Sequence, residues 1–544
     1  MGFKFTINKI LILILIACSY QTTAQQIIGV PTSTDSIRSI QIVQGKSLRL
    51  ITIDSATSLE TIAGNVIIKE GLTTFYCDSA TINRKTNIVE AYGNVHINDN
   101  DSIHTYAQYL RYVGIERIAY LKKNVRLTDK KGTLYTDDLE YNLTTGIATY
   151  KNGGRIVNGT TVLTSRDGVY YADTKDIFFK NKVHLKDPER DIYTDSLQYN
   201  IKTNIANFIA KTKIIGKDGS VINTNAGTYN LATGEAIFTD GASFSDSTRR
   251  GSAKTIAYDK KSGTIQMEGN AKLVDSVNNV TVLGGQIYID TKVNSFLATR
   301  KPVMIIYREG DSTYVAADTL FSGLRKYDSM ERKMITQRDT LKTTLAINAN
   351  TTSGDTSIRY FIGFHRVRIF NDSLQAVSDS LHYTTADSTF KLFGEPVVWS
   401  GKSQVSGDTL YLFTQKQKPK RLYVFNDALI INKTAERLYN QIGGRTLNGY
   451  FIDGNLDYVR VKGSPAESIF YPQDEDSAYV GMNRSSSDVI DAYFVNKEVN
   501  KVKFVNDVNG VLYPLRDIPA DKKELKGFKW LDNRRPKSWI ELFE

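Results

Sequence analysis

One short phrase recurs through this chain at a nearly fixed interval, and that interval limits what the chain can fold into. Gly64-Asn65-Val66 returns as Gly93-Asn94-Val95 and as Lys123-Asn124-Val125. Later copies are Asn181-Lys182-Val183 and Gly269-Asn270-Ala271. Their last residues lie 29, 30, 58 and 88 positions apart, which is one, one, two and three units of about 29. Weaker copies at Gly153-Gly154-Arg155, Lys211-Thr212-Lys213 and Asp240-Gly241-Ala242 fill the missing places. A period of this size marks a stack of small supersecondary units.

A second phrase keeps the same period. TDDLEYN at 136–142 is nearly rewritten as TDSLQYN at 194–200. Related triplets are Asp78-Ser79-Ala80, Asp379-Ser380-Leu381 and Asp408-Thr409-Leu410. Turns follow at Asn142 to Gly146, Asn200 to Asn204, Asn230 to Gly234 and Asp259 to Gly263. Asn and Asp start turns, and Gly and Asn tolerate left-handed dihedrals, so these are hairpin turns. Between them apolar residues alternate, as at Val125 and Leu127 or Leu139 and Tyr141. Such alternation predicts strands with one dry and one wet face. A single unit cannot bury its dry face, whereas stacked units share one core. The fold class is therefore all-β, an elongated stack of repeats of about 29–30 residues.

The pattern runs over 25–322, breaks at a charged stretch, 323–357, and resumes over 358–470. The break reads as an inserted loop or linker. Residues 471–544 hold Pro514, Pro519, Pro536 and two of the three Trp. They read as a cap on the open end of the stack or as a docking tail.

Residues 1–24 read as an export signal. Lys4 and Lys9 precede an apolar run from Ile10 to Ala17, too short to span a bilayer. Thr22-Thr23-Ala24 suits an ordinary signal peptidase. Leu15-Ile16-Ala17-Cys18 is similar to a lipobox, in which Cys18 would carry a lipid and tie the chain to a membrane. Net charge is +11, and +9 without Lys4 and Lys9. In an exported chain this points to an anionic surface, glycan or lipid phosphate rather than nucleic acid, with plain solubility as the other reading.

Catalytic and metal chemistry finds little support. One aspartate per repeat does not make an acid–base pair, and turn chemistry accounts for it. His96, His104, His184, His365 and His382 show no metal-ligand spacing along the chain. Nucleotide-loop and nucleophile-elbow motifs do not occur. Two cysteines exclude a disulfide scaffold, and Cys77 reads as a buried thiol. No cofactor is expected.

The order of motifs resembles one family. Ile62-Ala63-Gly64-Asn65-Val66-Ile67-Ile68, then Asp78-Ser79-Ala80-Thr81-Ile82, then Ala91-Tyr92-Gly93-Asn94-Val95-His96-Ile97 are similar to the LptA/OstA proteins of lipopolysaccharide transport. The resemblance implies a twisted β-jelly roll with a greasy interior and a non-enzymatic role. It implies conduction of lipopolysaccharide across the periplasm to the outer membrane. Its acyl chains, costing about 0.8 kcal/mol per CH₂ in water, would lie inside. The inward positions expected to line that interior are Val95, Ile97, Val125, Leu127, Leu139, Tyr141, Val183, Leu185, Leu197 and Tyr199. Expected partners are lipid A or lipopolysaccharide, and other transport components joined end to end by strand pairing. The chain is longer than the family's small periplasmic bridge and lacks the strand series of a C-terminal membrane barrel. Two other readings stay open, a structural or adhesin repeat protein and a glycan-active β-solenoid enzyme.

Overall fold

The computed structural model describes residues 40–326 and 357–544, apart from 55–56, 309–310, 416–417, 454 and 497. The expected export signal, Cys18 and most of the charged stretch 323–357 lie outside the described residues.

The device that shapes the fold is the recurring Gly-Asn phrase. Both residues take positive φ: 71° and 45° at Gly93 and Asn94, 67° and 51° at Lys123 and Asn124. Glycine adopts this region freely and Asn more readily than most residues. The result is a bulge. In the pairing of strand Ile118–Thr128 with Thr133–Asn142, Lys122 faces Asp138 and Val125 faces Thr136, so two residues oppose the single Asp137. A bulge bends its strand. Repeated in every unit, the bend folds each long hairpin across two walls. In some units the strand is interrupted, as between Ile147–Tyr150 and Gly154–Asn158. Both pieces pair with Thr133–Asn142 on one side, and with the separate strands Asp167–Tyr171 and Thr161–Ser165 on the other.

This corrects the reading of the repeated aspartates as turn residues. They hold the bulges. The Asp137 carboxylate accepts the Asn124 backbone N–H at 3.2 Å, Asp78 accepts the Asn94 amide at 2.9 Å and Asp167 accepts that of Asn181 at 2.6 Å. In the second half Asp318 binds Arg366 and Asp379 binds His365 in the same way. The expected hairpin turns are also present, and Asn142 and Asn200 each accept two backbone N–H groups in them.

The described residues form 40 antiparallel strands in one continuous ladder, an elongated β-jelly roll. The ladder passes directly from Thr319–Lys326 to Ser357–Phe370, so the pairing continues across the sequence break. Strands extend to Tyr513, past the point where the repeat phrases fade. Between the walls runs one apolar core, from Ile40 to Phe494.

Residues 514–544 lie back over the outer face of the second half. Three glutamines, each six residues before an inward leucine, grip this strap. Gln441 donates to the Lys523 carbonyl at 3.0 Å and accepts the Leu525 N–H at 2.8 Å. Gln404 does the same with Lys529 and Leu531. Gln375 accepts from the Arg535 guanidinium. Leu525, Leu531 and Leu542 each cover an apolar patch of the outer face, and Trp539 stacks on Tyr314 at 5.6 Å.

Gly93→Ala is expected to cost about 1–2 kcal/mol through its positive φ, and its new Cβ would fall 2.3 Å from the Asp78 carboxylate. Asn94→Gly keeps the left-handed backbone and loses only the exposed amide bond to Asp78, so it should cost less. Thermal unfolding of the two variants side by side checks this.

Candidate functional site at the mouth of the roll

Folding each hairpin across two walls leaves a seam where the two rows of turns face each other. This mouth is a route into the core along the side of the roll. In the first half it is shut. Tyr141 and Tyr199 of the phrase D-x-L-x-Y form a column with Tyr112 and Tyr170, their counterparts in the intervening units, all buried. Each ring crosses the interior, and each hydroxyl bonds a residue 41 or 42 positions earlier on the opposite wall. Tyr112 donates to Glu70, Tyr141 to Asp99 at 3.0 Å and Tyr170 to Asp129 at 2.6 Å. Tyr199 meets the Asn158 amide at 3.0 Å.

A buried tyrosine needs a partner for its hydroxyl, and a hydrogen bond to a carboxylate contributes roughly 1.5–3 kcal/mol. Burial, and then the facing carboxylate, push Tyr112, Tyr141 and Tyr170 well above the ordinary phenol range. They remain protonated donors at any physiological pH. Burial opposes ionisation of Asp129, but hydrogen bonds from Tyr170, the Gly132 N–H and Lys175 outweigh it and hold the carboxyl below its usual value. Lys175 completes this latch at 3.0 Å.

The column changes character at the next rung. The Arg190 guanidinium lies 4.5 Å over the Tyr229 ring and 3.7 Å from Asp187, the next acid of the series. From here the mouth opens. A cavity of about 510 Å³ has Ile214, Ile222, Phe238, Phe244 and Ile256 as its floor and Arg190, Lys217, Arg249 and Lys260 at its rim. A second, of about 240 Å³, begins at the same Arg249. Its floor is Leu273, Val282, Phe296, Met304 and Phe361, and Arg359 stands at its rim. The Arg359 guanidinium reaches the Ser322 hydroxyl at 3.2 Å, and burial pulls its pKa below the ordinary value. Acids share the rim: Asp246 pairs with Arg249, and Glu189 with Lys260 across the mouth. The whole is an open apolar trough with a charged lip, which suits an amphiphile.

All ten inward positions named from the sequence are buried in the shared core: Val95, Ile97, Val125, Leu127, Leu139, Tyr141, Val183, Leu185, Leu197 and Tyr199. They lie beneath the latched stretch. The residues that line the open trough belong to later repeats, where the phrases are weaker, and sequence reasoning did not single them out. The latch acids had a signal: Glu70, Asp99 and Asp129 each stand four residues after the valine of the bulge phrase. Spacing along the chain also hid a histidine pair. The His96 and His104 rings meet across strands at 3.1 Å. Among the described residues no group of three potential ligands gathers around a metal position. Cys77 is buried, and burial with Asp78 nearby pushes its thiol up to about 12.

Comparison with known proteins agrees with this architecture. The family of OstA-like proteins matches residues 38–195. The family of LptA and LptD N-terminal lipopolysaccharide-transport proteins matches residues 165–295. A search of curated proteins finds no match. Among solved structures, LptH of Pseudomonas aeruginosa, the LptA-homologous periplasmic component of its lipopolysaccharide transport device, aligns at 13% identity. That alignment covers 28% of this chain and 96% of LptH with a TM-score of 0.15, too low to carry any argument.

Tyr170→Phe is expected to destabilise the first half by about 1–3 kcal/mol, since it leaves a buried carboxylate short of a donor. Asp129 has a lowered folded pKa, so its contribution is complete above its unfolded value, about 3.9, and fades as pH falls through the lower folded value. Asp129→Asn should remove that part of the acid-induced loss. Thermal midpoints between pH 3 and 7 measure both.

Proposed function

Starting from an LptA/OstA-like chain, matched as such over residues 38–295, we propose that this protein binds lipopolysaccharide and conducts it across the periplasm without chemical change. The observation that carries this reading is the trough between Arg190 and Phe361, apolar within and charged at its lip, where guanidinium and ammonium groups stand among paired acids. Acyl chains, at about 0.8 kcal/mol per CH₂, gain several kilocalories per mole from such a floor. Lipid phosphates suit guanidinium groups, whose planar forks match their oxygens. The latched first half would then take up a lipid only by parting the tyrosine–carboxylate bonds, while the open stretch takes one up as it stands.

The roll's ends fit strand pairing with other transport components. The first rung, Ser47–Asp54, exposes Leu48 and Leu50 on one face and Ile51 and Ile53 on the other. At the far end Val511 and Leu512 are exposed on Asn509–Tyr513. A strand with apolar residues outward and one unpaired edge is a template for addition.

Photocrosslinkers test the trough in living cells. Lipopolysaccharide adducts are expected at Phe244 and Phe296 and not at the outward Arg126. Adducts at none of these sites in a folded, exported protein would leave the likeness as one of architecture alone. Changing Leu48 and Leu50 together to Lys should abolish end-to-end capture of a partner roll in pull-downs and spare the Phe244 adduct. Loss of both signals would instead mean that the first rung supports the whole fold.

A further inference from the structure

The wall that the strap covers in the second half is bare in the first, and the two stretches differ in kind. Under the strap it is apolar, with Val377, Trp399 and Ile431 covered by Leu531 and Leu525. In the first half one row of its outward side chains is aromatic and cationic, with the exposed Asp78 and Asp137 two residues along from Tyr76 and Tyr135. Strand pairing places Tyr76, His96, Tyr106, Arg126, Tyr135 and Arg155 in one row, each directly opposite the next across neighbouring strands.

The row is also joined by contact. Tyr76 stacks on His96 at 5.2 Å, and His96 on Tyr106 at 4.4 Å and 5°. Arg126 lies 4.2 Å over the Tyr106 ring and Arg155 lies 5.7 Å over that of Tyr135. Tyr76, Arg126, Tyr135 and Arg155 are exposed. None of the six is acidic.

We propose that this row is a binding surface for a linear carboxylated polysaccharide, lying along the axis of the roll. Rungs repeat every ~4.8 Å, so six residues span about 24 Å, which asks for an extended occupant. The faces of the rings are taken largely by their neighbours in the row, and Tyr135 holds Arg155 in place. The row therefore offers an occupant ring edges and guanidinium forks, and the forks pair with carboxylates. A second protein wall is disfavoured, because an interface core is depleted in charge, and the wall that this chain does cover is apolar. Single-stranded nucleic acid also uses aromatic and basic groups, but the export signal read in residues 1–24 sends the chain away from it. Cross-strand pairs of this kind also stabilise a sheet, so the test reads binding.

The probe is a lipid-free oligogalacturonate titrated calorimetrically into the mature full-length protein, with a neutral cello-oligosaccharide and an oligothymidylate as comparisons. Oligogalacturonate should bind, more weakly as salt rises, and the cello-oligosaccharide should bind at least about tenfold less well. Arg155→Gln and Tyr135→Ala should each weaken binding by about tenfold or more, and Tyr135→Phe should retain it. If Tyr135→Ala fails to fold, Arg155→Gln, at an exposed position, decides. Absence of oligogalacturonate binding, equal binding of the neutral chain, unchanged affinity in Arg155→Gln, or tighter binding of oligothymidylate would each overturn the proposal. The proposal is independent of the lipid reading: Arg155→Gln should leave the lipopolysaccharide adduct at Phe244 intact.

Discussion

Everything in this structure depends on the two-residue bulge carried by one strand of each long hairpin. A straight hairpin array would make one flat sheet, with half of its apolar side chains facing water. The left-handed pair at Gly93-Asn94 and its counterparts bends each strand, so that its two halves belong to facing walls. The dry faces then meet, and one core runs from Ile40 to Phe494. The aspartate of the neighbouring strand holds the bend by accepting the hydrogen bond that the bulge would otherwise leave unmade. The cost of left-handed backbone is small at Gly and Asn, and the area buried by closing the walls outweighs it.

The second consequence of the bend is the mouth. Two walls joined at one side must be open at the other, and the chain treats the opening differently along its length. In the early repeats a tyrosine from one wall reaches a carboxylate on the other and seals the gap. From Arg190 onward guanidinium groups occupy the lip and cavities appear below them. The same scaffold thus provides a closed stretch and an open one, and the change turns on a single side chain per rung.

Much of the fold was legible in the sequence. Strands, turns and inward positions follow from local alternation and local turn chemistry, as at Leu127, Leu139 and Asn142. The role of Asp137 was misjudged because its partner, Asn124, lies on the preceding strand, across the bulge rather than within a turn. The latches were missed for a related reason. Tyr141 and Asp99 are 42 residues apart and meet only after two walls have formed. The trough was missed because its repeats keep the register of the pattern while losing its wording, as at Phe244 and Phe296. The strap has no periodicity at all, and its grip on Gln404 and Gln441 is made through its backbone, which leaves no mark on residue identity.

That strap changes how the two halves hold together. In a stack of repeats each rung touches only its neighbours, so stability is a sum of local terms and fraying can begin at any weak joint. A segment that runs from Arg484 back to Tyr314 and Lys301 links rungs that the ladder alone would leave independent. The second half is therefore built to lose its structure in one step. The first half, with only neighbouring latches across its seam, can open one rung at a time while the rest stays shut.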